Sequence, residues 1–329
     1  MIRLIPAFSI LVVALLAGAP DGARADAAHD VLNAVVQVRA EIPADARSAR
    51  FLGTEREGNG VVIDDNGLVL TIGYLILEAM AATVVDSRGH EVPAEILAYD
   101  YDTGFGLLRG LGAIEAVPIR LGDSDAVTAG APQLAVGFGG LDGMVATRVA
   151  ARREFAGYWE YLLDDAIFTA PPHPSWAGAA LVGADGRLVG IGSLLVQDAA
   201  GPDTAVPGNM FVPINLLKPI LGDLIALGQD SAAPRPWLGM FTDQQDEGVV
   251  VITVIPDGPA EAAGVREGDR IVSVAGEMIS TMAQLFRKVW SLGSAGVEIP
   301  LTVASGGEMR GLRVRSIDRT RFLRLNRTY

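Results

Sequence analysis

The sequence predicts a mostly β protein of two domains, and three observations carry that prediction. Gly 39 and Pro 18 among 329 residues supply many turns, turn-forming clusters recur between short apolar runs, and no amphipathic helix separates those runs to carry a parallel crossover. Half of the residues are apolar and a fifth are charged, so the chain is long enough for two separate cores.

At the start, Arg3, the apolar run 4–17 and the small residues of Ala23-Arg24-Ala25 form the pattern of an export signal over 1–25, cleaved near Ala25. The alternative is a retained membrane anchor. A periplasmic or secreted protein is therefore expected. No later segment has the roughly 18 uncharged apolar residues that a bilayer span needs. The formal net charge is −13, and because 1–25 is net positive the remainder is more acidic still. Such a surface excludes nucleic acid as a partner, since that binding depends on Lys and Arg neutralising phosphates. With Cys 0, disulfides, thiol catalysis and thiolate zinc sites are excluded.

Hairpin signals follow one another along the chain. The runs 60–63 and 68–72 flank Asp64-Asp65-Asn66-Gly67, 83–85 and 91–96 flank Asp86-Ser87-Arg88-Gly89, and 181–182 and 188–195 flank Gly183-Ala184-Asp185-Gly186. Serial hairpins of this kind mean a sandwich or barrel. A helix is expected over 216–227, between Asn215 and Gly228. The stretch 228–234 reads as a linker, 235–318 as a second domain, and 319–329, with Arg319, Arg321, Arg324 and Arg327, as a basic tail. The second domain carries a helix over 282–292 with the cap pair Thr281 and Gln284 and the apolar stripe Ala283, Phe286, Val289 and Trp290.

Three stretches of 26–227 resemble the HtrA/Deg branch of trypsin-like serine proteases in order and spacing. They are Gly60-Val61-Val62-Ile63-Asp64 with Gly67-Leu68-Val69-Leu70-Thr71; Leu121-Gly122-Asp123-Ser124-Asp125; and Ala177-Gly178-Ala179-Ala180-Leu181-Val182 followed by Phe211-Val212-Pro213-Ile214-Asn215. From Pro236 the chain resembles an HtrA-type PDZ domain, most specifically in 254–263, in Gly264-Val265-Arg266-Glu267-Gly268-Asp269-Arg270-Ile271 and in Val274-Ala275-Gly276. The resemblance covers nearly the whole chain after 25. It implies a trypsin-like double β-barrel followed by an α+β PDZ domain, without cofactor or metal, and family assemblies such as a trimer or co-assembly with an active homologue.

Carried over residue by residue, the resemblance places Tyr74 where the family has its general base, Gly104 where it has the orienting acid and Ala177 where it has the nucleophile. Ser175 stands at the first glycine of the oxyanion loop, beside Trp176. A methyl group cannot attack a carbonyl, and a tyrosine with pKa near ~10 is mostly protonated at neutral pH. Losing a triad member lowers turnover by roughly four to six orders of magnitude. The expectation is therefore a protein that is not an enzyme but binds peptides as a scaffold, chaperone-like binder or modulator of an active protease. Two alternatives stand beside it: an HtrA-type serine endopeptidase with an unrecognised nucleophile, and a structural assembly subunit. Of the three histidines, His29, His90 and His173, only His173, two residues from Ser175, offers a substitute base.

In the PDZ-like domain the resemblance implies that Trp237, Leu238, Gly239 and Met240 form the loop whose backbone N–H groups hold a terminal carboxylate, with Ala283, Phe286 and Arg287 on the pocket wall. The alternative is that Leu238 and Met240 are ordinary core residues. The chain end Asn326-Arg327-Thr328-Tyr329 is apolar-ended, of a kind such a groove accepts.

Overall fold

The computed structural model describes residues 21–323, so most of the export signal read over 1–25, and the chain end at 326–329, lie outside the described residues. A helix, α1 (Asp21–Ala34), runs through the expected cleavage point. Among the described residues the chain forms two compact units, one reaching Arg153 and resuming over Asp165–Asp230, the other made of Glu154–Asp164 and 231–323. A single boundary at 228–234 assigns 154–164 to the first domain; the structure packs it with the second. The reason is local, since Leu162 is buried in the core of the second unit and Ala156 packs against it.

In the first unit, β1 (Val35–Glu41), β2 (Glu55–Val62), β3 (Leu68–Ile72), β4 (Ala81–Val85), β5 (Glu91–Tyr99) and β6 (Phe105–Gly110) close into a barrel in the order β1-β2-β3-β6-β5-β4. The β2–β3 turn forms because Asp64 Oδ1 accepts the N–H groups of Asn66 (2.9 Å) and Leu68 (2.8 Å), an Asx arrangement that fixes the chain reversal. A second barrel contains β7 (Pro132–Val136), β8 (Met144–Gly157), β9 (Tyr161–Ala170), β10 (Ala180–Val182), β11 (Leu188–Val196) and β12 (Gly208–Pro213), ordered β10-β11-β12-β9-β8-β7. Val127, Ala135, Val149, Ile167, Leu181, Val189 and Phe211 fill its core. The fold class expected from the sequence, a double barrel followed by an α+β domain, is the one observed.

The expected helix over 216–227 is shorter: α2 spans Leu221–Leu227, preceded by a 3₁₀ turn at Ile214–Leu216. Pro219 explains the difference, because it has no N–H to donate and its ring clashes with the preceding turn. Gly228 ends α2 in the left-handed conformation, as its position predicts.

The second unit holds β13 (Met240–Gln245), β14 (Gly248–Val254), β15 (Arg270–Val274), β16 (Glu277–Met278), β17 (Glu298–Ser305) and β18 (Glu308–Arg315), in the order β13-β14-β15-β17-β18 with β16 paired to β15. β13 is thus an edge strand. Helix α3 (Met282–Ser291) begins with a reciprocal cap: Thr281 Oγ1 accepts from Gln284 N (3.1 Å), and Gln284 Oε1 accepts from Ser280 N (2.9 Å). Its buried residues, Ala283, Leu285, Phe286 and Val289, share one core with Val249, Val251, Ile271 and Leu301.

Candidate functional site

Among the residues singled out by the sequence, Ser175, Trp176 and Ala177 share one loop of the first unit, and Trp237, Leu238 and Gly239 lead into β13 at Met240 in the second. In the first unit, the loop before β10 is fastened by Asn59, a β2 residue with 1% of its surface exposed. Asn59 Nδ2 reaches the Ser175 carbonyl (2.9 Å), Ser175 Oγ (3.2 Å) and the Ala177 carbonyl (2.9 Å), while Oδ1 accepts from Phe138 N (2.7 Å). Its own N–H donates to the Ala177 carbonyl (2.8 Å) and its carbonyl accepts from Thr71 Oγ1 (2.6 Å). The backbones approach so closely that a Cβ on Gly178, at φ +74°, would lie 1.9 Å from the Asn59 carbonyl oxygen. Only glycine meets both demands.

Around this loop, Tyr74 sits in a 3₁₀ turn and donates its hydroxyl to the Ser193 carbonyl (2.8 Å). Burial raises the Tyr74 phenol above its ordinary pKa, with a hydrogen bond involving Trp176 pulling the other way. Gly104 accepts at its carbonyl from Gly73 N (2.7 Å), which ties the 3₁₀ turn to the start of β6. The structure thus brings Tyr74 to Trp176 and Ser193, and Ala177 to Asn59.

His173 is buried beside this loop. Its Nδ1 accepts from the Ser175 backbone N–H (3.0 Å), and its Nε2 faces the Gly143 carbonyl (2.9 Å). The first contact requires an unprotonated Nδ1 and the second a protonated Nε2, so the neutral tautomer with the proton on Nε2 fits both. The imidazole meets the backbone of Ser175 and not its hydroxyl, which lies on Asn59 instead.

In the second unit, the sequence-selected loop closes around a carboxylate supplied by the chain itself. Leu238 N–H donates to Glu160 Oε2 (2.9 Å) and Oε1 (3.2 Å), Gly239 N–H to Oε1 (2.8 Å) and Met240 N–H to Oε1 (3.3 Å). Gly239, at φ +75°, turns its N–H toward the same point as its neighbours. The side chains of Leu238 and Met240 are both 1% exposed and belong to the core. The two readings of these residues are therefore compatible: side chains pack inward while their amides converge on an acceptor.

Trp237 faces elsewhere, pairing with Ile317 in an isolated bridge and packing on Phe322 with ring centroids 4.8 Å apart. Ala283 and Phe286 are core residues. Arg287 is half exposed and binds Glu154 (2.6 Å) and Asp164, on the two strands that bring Glu160 to the loop. Sequence reasoning missed Asn59 and Glu160. Asn59 lies between Gly58 and Gly60 at the entry to the apolar run 61–63, and Glu160 among aromatics in Tyr158-Trp159-Glu160-Tyr161; a polar residue against an apolar or aromatic run is the signal that could have found each.

Known proteins match both parts of the chain. Residues 58–191 match a trypsin-like peptidase domain and residues 250–304 a PDZ domain. The serine protease PepD of Mycobacterium tuberculosis is 28% identical over 298 residues, covering 83% of this chain and 64% of the relative. A protein of Brucella suis named "Probable periplasmic serine endoprotease DegP-like" is 28% identical over 263 residues, covering 75% of this chain and 50% of the relative. The chain thus spans between half and two thirds of the length of these relatives. Among solved structures, the HtrA-type protease AlgW with a decapeptide superposes with a TM-score of 0.53 at 22% identity, covering 92% of this chain and 99% of the other. The chain thus carries a trypsin-like peptidase domain followed by a PDZ domain, and over most of its length it resembles serine proteases of the HtrA/DegP type. The expectation that it is not an enzyme is overturned here, because the relatives are named serine proteases and endoproteases. No helix among the described residues is long and apolar enough to cross a membrane.

Two measurements check the geometry. Replacing Asn59 by Ala takes the side-chain partner from the Ser175 carbonyl and the Phe138 N–H, while the Ala177 carbonyl keeps the backbone N–H of residue 59; thermal or urea unfolding should show a loss of roughly 3 kcal/mol, against almost none for an exposed Asn→Ala control. Burial, opposed by the three loop amides and by Arg319, raises Glu160 from 4.5 to about 7. A carboxyl group raised on folding binds its proton more readily in the folded state, so its stabilising contribution is full below the unfolded value of 4.5 and is lost as pH rises through about 7. The second unit should therefore gain about 1.4 kcal/mol between pH 8 and pH 6 relative to Glu160→Gln, read as the difference between their unfolding curves.

Proposed function

We propose that this chain is a periplasmic HtrA-type protein that captures extended polypeptides through its PDZ domain, recognising a carboxylate at the end of the bound strand. The observation that carries the reading is the convergence of the Leu238, Gly239 and Met240 N–H groups on one carboxylate. Beside that loop lies β13, an edge strand of the sheet, whose outward N–H and carbonyl groups can accept one more strand. Loop and edge together supply what strand addition with terminal capture requires: donors for the charge and a ladder for the backbone. The named location of the Brucella relative supports the periplasm.

The test is a titration with decapeptides that differ only at the C-terminus. A free-acid peptide should bind at least about tenfold tighter than its C-terminal amide, because the amide presents no charge to the three donors. Equal affinity of acid and amide would remove the carboxylate from the recognition and with it this reading.

A second reading is favoured by the names of the relatives: the captured chain is cleaved, as by a serine endopeptidase. In 174–178 the hydroxyl is that of Ser175, and the nearby imidazole is His173, whose Nδ1 is taken by the Ser175 amide. Use of this pair requires Ser175 Oγ to leave Asn59 and the imidazole to leave the amide. The reading expects casein turnover and fluorophosphonate labelling that both disappear in Ser175→Ala. Labelling that survives in Ser175→Ala places the nucleophile elsewhere, and its absence from the native chain removes the reading.

A further inference from the structure

The strands β8 and β9 are joined by the three residues Tyr158, Trp159 and Glu160. In a three-residue hairpin loop the last position is left-handed and is normally glycine. Here it is Glu160, at φ +58°, a conformation that a residue with a Cβ adopts at a cost. A glutamate at this position sacrifices local stability, and what it gains is visible: the side chain is delivered to the carboxylate loop, where both oxygens accept backbone N–H groups.

The rest of the tip lies along the PDZ groove in matching register. Thr242 N–H, on the edge strand two residues after Met240, donates to the Tyr158 carbonyl (3.0 Å). Residues two apart on a strand present their N–H groups to the same side, so Met240 reaches Glu160 and Thr242 reaches Tyr158 from one edge of β13. The Tyr158 ring packs edge-on against Phe241 with centroids 5.3 Å apart. Trp159 stacks on Tyr161 at 5.3 Å, and its carbonyl accepts from Arg319 Nη1 (3.1 Å). Arg287, on the helix of the groove, closes the arrangement through Glu154 and Asp164. An acidic end, a backbone bond to the edge strand two residues earlier and an aromatic side chain at that second position reproduce the contacts that a peptide C-terminus would make.

We propose that the β8–β9 hairpin is a ligand of the PDZ groove held within the same chain, with the Glu160 side chain standing in for a terminal carboxylate and Tyr158 for the residue two positions before it. The partner that fits is therefore an extended peptide with a free C-terminal carboxylate and an aromatic residue two positions earlier, and it binds by displacing Glu160. This rests on the reading of the groove as a peptide site given above.

The probe is a fluorescein-labelled decapeptide ending Tyr-Trp-Val, as free acid and as C-terminal amide, measured by anisotropy against the full chain. Glu160→Gly removes the internal carboxylate and at the same time suits the left-handed backbone, so it keeps the hairpin foldable; Glu160→Gln keeps the side-chain volume and loses the charge. The free acid should bind Glu160→Gly at least tenfold tighter than it binds the native chain, Glu160→Gln should fall between them, and the amide should gain far less than the acid from either substitution. Tyr158→Cys with Phe241→Cys, in a chain that has no other cysteine, allows a short bis-maleimide to pin the hairpin down; the pinned protein should lose binding of the acid. Equal affinity of the free acid for the native chain and for Glu160→Gly would overturn the occupancy of the groove while leaving peptide binding intact. No binding to the native chain or to any Glu160 variant would overturn both.

Discussion

A buried carboxylate held by three consecutive backbone amides organises the second unit. The turn at Gly239 points the N–H groups of 238, 239 and 240 away from the sheet, where no ladder can satisfy them. Buried donors without an acceptor cost about 1–3 kcal/mol each, so this loop needs an oxygen from outside the sheet. Glu160 supplies it, and burial of Leu162 in the same core secures the segment that carries it. The carboxylate is itself expensive to bury. The loop amides and Arg319 offset part of that penalty, and the remainder appears as a proton held more tightly than by an ordinary glutamate.

The first unit uses the same device with the polarity reversed. There a buried amide side chain, Asn59, distributes its donors over Ser175 and Ala177 and its acceptor over Phe138. In both units a loop is fastened by one polar side chain far away in sequence, 118 residues for Asn59 to Ala177 and 78 for Glu160 to Leu238. The two loops fixed this way are those the family resemblance marks as functional. Their positions are set by few hydrogen bonds of high individual consequence rather than by apolar packing.

What the sequence made legible was local. The Asp64 turn, the Thr281 and Gln284 cap and the glycine after α2 each rest on chemistry within four residues, and each is found where that chemistry puts it. Pro219 carried equally local information and shortens the helix around it. The loop 237–240 was legible through resemblance, but not the division of labour within it: Trp237 turns to Phe322, while the other three amides turn to Glu160. Asn59 and Glu160 stayed hidden because their partners are set by topology. Nothing near Glu160 in the chain says that its acceptor oxygens face donors 78 residues away. Likewise the resemblance could set Tyr74, Gly104 and Ala177 beside one another in an alignment, but not say that Tyr74 donates to Ser193.

The central claim, that the carboxylate loop is engaged by the chain's own hairpin, is tested most directly by amide hydrogen exchange at individual residues of the native protein near neutral pH. The account predicts that the amides of Leu238, Gly239, Met240 and Thr242 are protected together, and that substituting Glu160 speeds the first three well beyond any change in the amides that pair β14 with β15. Exchange of those loop amides in the native chain at the rate of an unstructured peptide would contradict it.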